Sequence, residues 1–170
     1  MERPELSAKR VSESAIYDGS NPIMPNDLNS LGTLFGGTLL KKADLTAGDT
    51  ANRHTKTLCV TTHVEGDFIN PGYLGETLIY KSSVNRTWRS SMLEVGVKVL
   101  AFNYMEDSER HIASFYFILV AIEKTKKNEI KLNPVVPEVI PETEDQQRRY
   151  KEAEERRRYR HEIKKRKPST

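Results

Sequence analysis

The stretch Leu31-Gly-Thr-Leu-Phe-Gly-Gly-Thr-Leu-Leu-Lys-Lys-Ala-Asp-Leu-Thr-Ala-Gly-Asp-Thr-Ala-Asn-Arg-His54 decides how this chain folds. Past the glycine pair Gly36-Gly37 it reads as one helix, with Leu40, Ala43, Ala47 and Ala51 recurring at three- and four-residue steps along an apolar stripe. The small residues Ala43, Ala47, Gly48 and Ala51 suit a helix lying close against a curved sheet. Asp44 falls inside that stripe, where a carboxylate costs on the order of several kcal/mol to desolvate unless it is hydrogen-bonded, paired or used. Asp49 projects from the opposite face, with Arg53 one turn on as a solvated partner.

Outward from the helix the period changes from 3.6 to two. Leu58 to Phe68, Glu76 to Thr87, Ser91 to Asn103 and His111 to Ile122 are rich in β-branched residues and read as four strands. Val95, Val97 and Val99 alternate with Glu94, Gly96 and Lys98, so one face of that strand is expected to be buried and the other solvated. Ile112 to Ile122 is apolar on both faces and belongs in the middle of the sheet. Asn70-Pro-Gly-Tyr73 is a turn and Met105-Glu-Asp-Ser-Glu109 a polar hairpin loop. Before the helix, Ala15 to Met24 supplies an edge strand, preceded by a polar and loose N-terminal dozen. The expected architecture is α+β, with an antiparallel meander around one long helix.

Composition bounds the rest. At 170 residues, 36% hydrophobic and 30% charged, the chain suits one soluble domain, and no apolar run is long enough to span a bilayer. The single Cys59 excludes an intrachain disulfide and a cysteine metal cage, and its apolar surroundings predict an inert packed thiol in a reducing cytoplasm. His54, His63, His111 and His161 lack metal-ligand spacing, so no metal is expected, and His54 at the helix end is expected to complement the helix dipole. Residues 141 to 170 carry 11 basic and 7 acidic residues, against 16 and 17 in the rest, so the net charge of +3 belongs to the tail. A nearly neutral body argues against nucleic acid as a partner.

The prolines of Pro134-Val-Val-Pro-Glu-Val-Ile-Pro141 mark an extended strap, and Thr143-Glu-Asp-Gln146 opens a charged helix with a capping box. Pairs four residues apart, such as Asp145 with Arg149 and Glu152 with Arg156, support it. Without an apolar seam it reads as a solvated, partly frayed helix. The organisation expected is a body over 1–133, a strap over 134–142 and a charged helical tail over 143–170.

Four segments in this order, Pro25 to Gly37, Leu40 to Gly48, Asp67 to Glu76 and Ser90 to Val99, together resemble the hotdog-fold acyl-CoA thioesterases, in the cytosolic acyl-CoA hydrolase branch with its bacterial single-domain members. The resemblance covers about residues 20 to 123. It implies an antiparallel sheet wrapped around the helix, a homodimer with sites at its interface, and further assembly into a trimer of dimers, a hexamer. It also implies hydrolysis of acyl-CoA to fatty acid and coenzyme A in the cytoplasm, with no cofactor, since coenzyme A is part of the substrate.

Carried over residue by residue, the resemblance makes Asp44 the catalytic carboxylate, as general base or nucleophile, and Asn29 its assistant. The backbone N–H at Gly37 becomes the oxyanion donor, as free N–H groups at a helix start permit. A polar strand residue completes the set, Thr61 or its neighbour Thr62, and Thr33 stands where some relatives carry a catalytic asparagine. In Arg86-Thr-Trp-Arg-Ser-Ser91, the side chains of Arg86, Arg89, Ser90 and Ser91 are placed along the coenzyme A pantetheine and phosphates, with Trp88 available to stack on adenine. Among Phe68, Phe115 and Phe117, all expected in the core, one is available to line an acyl pocket. The competing reading is a non-catalytic acyl-CoA sensor on the same fold; a tail-mediated interaction module is weaker, and hydrolysis is expected to survive removal of the tail at Pro141.

Overall fold

In chain order the elements are β1 (Lys9–Arg10), β2 (Ile16–Pro22), α1 (Gly36–Thr55), β3 (Leu58–Phe68), β4 (Thr77–Trp88), β5 (Met92–Asn103), β6 (Ser108–Lys124), β7 (Ile130–Leu132), β8 (Val139–Ile140) and α2 (Glu144–Arg166), with single 3-10 turns at Val11–Glu13 and Pro25–Asp27. They come from a computed structural model that describes residues 7–88, 90–124, 130–132 and 136–166. The strands form an antiparallel sheet in the order β2-β4-β5-β6-β3, with β7 paired to the end of β6. This is the helix-wrapped sheet expected of a hotdog fold; β6 is interior, between β5 and the edge strand β3, and the middle position expected of it belongs to β5.

α1 lies across one face of the sheet, here called concave, because its stripe is small. Leu39, Ala43, Ala47, Thr50, Ala51 and His54 are its buried line, and the Thr50 hydroxyl meets that of Ser82 on β4. With alanines at the closest approach, the helix packs against Leu78, Val84, Leu93, Val95, Val97, Phe117 and Leu119 without a bulky spacer. The buried line runs through Ala43, Ala47 and Ala51 as expected but enters at Leu39 instead of Leu40, and Leu40, Asp44 and Gly48 lie on a half-buried flank. α1 ends at Lys56, in the left-handed region at φ 57°, whose N–H bonds Asn52 O.

Three expectations are corrected. The N-terminal segment is tied down from Lys9 onward: β1 pairs in parallel with β8, Val11 and Ser14 are buried, and Lys9 Nζ reaches His54 O at 2.5 Å, where it satisfies a terminal carbonyl of α1. His54 does not serve the dipole as a cation. It is buried, with Nε2 2.9 Å from Pro137 O and Nδ1 3.4 Å from Ser14 Oγ, and that burial pushes its pKa down and keeps the ring neutral.

The third correction concerns the tail. α2 is docked by one face, without an apolar seam, on the convex face of the sheet, and its other face stays exposed. Ala153 is fully buried against the strands, Arg156 lies 3.7 Å over the ring of Tyr116, Arg157 over Trp88 at 4.9 Å, and Trp88 Nε1 donates to Glu154 at 2.8 Å. Arginine stems supply the packing that leucines would supply in an ordinary amphipathic helix. On the face of β5 expected to be wet, Glu94 beneath α2 is therefore 0% exposed and Gly96 half-buried, while Lys98 stays exposed as expected.

Candidate active site

Asp44 is half-buried on the flank of α1, not sunk beneath it, and its carboxylate points to the edge strand. Thr61 Oγ1 on β3 donates to Asp44 Oδ1 at 2.6 Å, a short charge-assisted bond. Thr62 turns the other way and donates to Ile118 O at 3.1 Å.

A β-bulge makes that choice. Thr61 pairs with Leu119 and His63 with Ile118, so Thr62 is an extra residue with no partner across the ladder. Leu119, Phe117, Phe115 and Ala113 all belong to the concave core. Thr61 therefore shares a face with their partners Val64, Gly66 and Phe68, which lie three, five and seven residues on. Gly66 is required there, since a Cβ would come within 2.2 Å of Ser114 O and 2.7 Å of the Phe115 ring. Phe68 is not core: it is 59% exposed, packs edge-on to Phe115 at 5.3 Å, and lines a recess of about 360 Å³ with Leu34, Gly36, Leu39, Pro71 and Ile112.

The recess opens at the start of α1. The first helical bond there runs from Leu39 N to Phe35 O, and Phe35 supplies no side-chain cap, so helix geometry leaves the N–H groups of Gly36, Gly37 and Thr38 without an intrahelical acceptor. A Cβ on Gly37 would meet the Phe35 ring at 2.5 Å and one on Gly36 the Phe68 ring at 3.2 Å, so the glycines let two aromatic rings stand beside exposed backbone donors.

Asn29 sits in the loop before the helix, in a rigid turn. Its Oδ1 accepts from Leu31 N at 2.9 Å and Thr33 N at 3.2 Å, and its Nδ2 donates to Thr33 Oγ1 at 3.0 Å. Backbone bonds from Phe35 N to Asp27 O and from Leu34 N to Gly72 O fasten that loop to the body. The chain thus brings Asp44 to Thr61, and Asn29 to Thr33, but no hydrogen bond joins the two pairs among the described residues. Seven helical residues also place the Gly37 and Asp44 backbones about 10 Å apart along α1.

Of the residues assigned to coenzyme A, Arg86 is held by α2, with Nε 3.0 Å from Glu154, Nη1 donating to Tyr150 O, and the guanidinium 4.2 Å over the Tyr150 ring. Ser90 is exposed and, with Arg86, Thr87, Val136 and Arg157, lines an open groove of about 710 Å³. Ser91 is buried in the hairpin turn at φ 61°, its carbonyl accepting from Ala121 N. Trp88 is buried with Arg157 on its ring, and Arg89 lies outside the described residues. Sequence reasoning missed Arg157 and the α2 contacts. The signal present was the spacing of Arg149, Ala153, Arg156 and Arg160, a helical stripe written in arginine.

Residues 31–101 match the model of the thioesterase superfamily. The chain is 34% identical to an uncharacterized acyl-CoA thioester hydrolase, YkhA, of Bacillus subtilis over 86% of its own length and 80% of that protein's. It is also 30% identical to the cytosolic acyl coenzyme A thioester hydrolase of Rattus norvegicus, of which it spans only 39%. Among solved structures, an apo-hexameric acyl-CoA thioesterase superposes with a TM-score of 0.86 at 28% identity, over 95% of this chain and all of the other. An acyl-CoA hydrolase of Staphylococcus aureus, solved with butyryl coenzyme A and coenzyme A, superposes at 0.79 with 30% identity over 93% and 94% of the two chains. Alanine variants of that enzyme have been solved at an asparagine, an aspartate and a threonine separated by 15 and 17 residues, the same separations as Asn29, Asp44 and Thr61 here.

Proposed function

Since the chain belongs to the thioesterase superfamily, we propose that it hydrolyses acyl-CoA thioesters, with Asp44 as the general base. The observation that carries the reading is the Asp44–Thr61 bond, which fixes one carboxylate oxygen and leaves the other to a water. That water gives its proton to Asp44 as its oxygen adds to the thioester carbonyl carbon. The oxyanion formed is held by the backbone N–H of Gly37, where the positive end of α1 adds to the stabilisation. Collapse of the tetrahedral species breaks the C–S bond, and the coenzyme A thiolate leaves and takes up a proton. Asn29, rigid on its turn, orients the water or the carbonyl from the loop side.

The distance along α1 supports a site shared between two copies. With their backbones about 10 Å apart along one helix, the Asp44 carboxylate and the Gly37 N–H are badly placed to serve one carbonyl carbon, so Asp44 of one copy serves the Gly37 of another. β3 offers the surface for pairing: among the described residues it bonds only to β6, and it exposes Leu58, Val60, Val64 and Phe68. The dimer follows on this reading, and the hexameric thioesterase on which the chain superposes supports a trimer of such dimers. The acyl chain enters the recess beside Phe68, and the groove at Arg86, Ser90 and Arg157 takes the nucleotide end.

The test is free-thiol release from a panel of short to long acyl-CoA esters, with the native chain beside Asp44→Asn at matched oligomeric state. Loss of about 10²-fold or more in kcat on that substitution supports the carboxylate, while an active Asp44→Asn variant refutes it. Binding without turnover by the native chain would make it a sensor. A single turnover in ¹⁸O-water tests the nucleophilic alternative: a base puts the label directly into the fatty acid, whereas an Asp44–acyl anhydride opened by water at the aspartyl carbon delivers an unlabelled oxygen first and leaves the label on Asp44.

A further inference from the structure

The mechanism leaves one charged cluster unused. Glu94, on β5, is completely buried on the convex face, on the far side of the sheet from Asp44. Arg156 Nη2 meets its Oε1 at 2.6 Å, Asn85 Nδ2 on β4 donates to the same oxygen at 3.1 Å, and Arg160 Nη2 stands 3.7 Å from its Oε2. Arg156 is also stacked on Tyr116 of β6. These contacts peg α2 to the three interior strands. Arg160, one turn further on, extends past them and donates to Glu65 on β3, whose other carboxylate oxygen lies 3.9 Å from His63 Nε2.

Glu65 stands three residues after Thr62, the bulge residue, and four after Thr61. Within one copy β3 has little else to hold it on this side: nearly every side chain along it is exposed, and its ladder runs to β6 alone among the described residues, its outer edge being the one left to the second copy. A bulge bends its strand, and the bend depends on how the two segments beside it are fixed. Thr62 Oγ1 fixes the bulge to Ile118 O from within the ladder. The Glu65–Arg160 pair fixes the segment that follows, from outside it.

We propose that Arg160 is a positioning residue: through Glu65 it holds β3 in the bent form that presents the Thr61 hydroxyl to Asp44, with Glu94 and Arg156 as the anchor of α2. The proposal rests on the thioesterase reading of the Asp44 site and adds the charged tail to its machinery. It also reverses the expectation that hydrolysis is indifferent to the tail.

The experiment uses the full chain and the variants Arg160→Met, Arg160→Lys and Glu65→Gln, each also in a Thr61→Ala background. Amide hydrogen exchange read by mass spectrometry over residues 58–68 reports the strand directly, and kcat and KM report the site. Arg160→Met and Glu65→Gln are expected to speed exchange at 61–68 and to lower kcat roughly tenfold or more with KM little changed, and Arg160→Lys to recover part of both. Where Thr61 is already alanine, Arg160→Met is expected to cost no further kcat. Unchanged exchange at 61–68, or a kcat loss equally large in the Thr61→Ala background, overturns the proposal. If the native chain releases no thiol, the thioesterase reading fails on its own, and the exchange measurement still decides whether Arg160 holds the strand.

Discussion

The hydroxyl of Thr61 lies 2.6 Å from Asp44 Oδ1 and donates to it, so the edge strand and the middle of α1 meet at a single charge-assisted bond. Thr61→Ala removes the donor and is expected to lower kcat by roughly tenfold to a hundredfold, the range of a hydrogen bond to a charged group. Thr61→Ser keeps the hydroxyl and most of the rate. Thr62→Ala loses the bond to Ile118 O that fixes the bulge and is expected to cost about 1 kcal/mol of stability and to lower kcat by less than Thr61→Ala does. Initial-rate kinetics and urea unfolding on the three variants separate these outcomes.

Two glycines on opposite sides of the packing problem give a paired test. Gly66→Ala puts a methyl 2.2 Å from Ser114 O, which is backbone and cannot turn away, and is expected to destabilise the fold by about 2–4 kcal/mol. Gly48→Ala meets nothing within 4 Å inside a helix and is expected to stabilise by roughly 0.5–1 kcal/mol. Urea midpoints at equal protein concentration measure both.

Stability should also fall in mild acid, on account of His54. Burial lowers its pKa in the folded chain below the ordinary value of 6.5, and the facing Lys9 adds to the lowering, while the Pro137 carbonyl and Glu13 oppose it. The unfolded chain therefore binds the proton first as pH falls. The contribution is whole above about pH 6.5 and drains away as pH falls below that toward the folded value. Glu142 and Asp145, held below their ordinary 4.5 and 3.8 by Ser12 and Arg148, lose their contributions only in stronger acid. Thermal melts between about pH 7 and about pH 5 should slope in the native chain and flatten in His54→Asn.

Cys59 should behave as a protected thiol. Burial pushes its pKa above the ordinary 9.0, although the Thr55 hydroxyl 3.3 Å away partly offsets this. Alkylation by iodoacetamide at neutral pH should be slow in the folded chain and speed up by roughly tenfold or more in urea.

Much of this arrangement was legible in the sequence. The four strands after the helix lie within a few residues of where period-two patterning puts them; β4, β5 and β6 each bury one face against the same helix, while β3 at the edge stays largely exposed. Asp44 stood out because it interrupts an apolar stripe. Other features depend on interactions that local patterning does not encode. The choice between Thr61 and Thr62 turns on a bulge, and a bulge reverses the parity of a strand with no composition of its own to announce it. The burial of Glu94 turns on a helix more than 50 residues away that lacks the apolar seam by which docking helices are recognised. His54 looked like a dipole partner because its ceiling, Ser14 and Pro137, comes from the two ends of the chain.

The bulge at Thr62 has a consequence for chain length. Thr61 and His63 face consecutive residues of β6, so the edge strand carries one residue more than its neighbour spans. Loss of Thr62 would straighten the strand and leave Val64, Gly66 and Phe68 facing as they do, with Glu65 still toward α2. Length can therefore vary at this point without turning the strand inside out, and what changes is the angle at which Thr61 meets the helix.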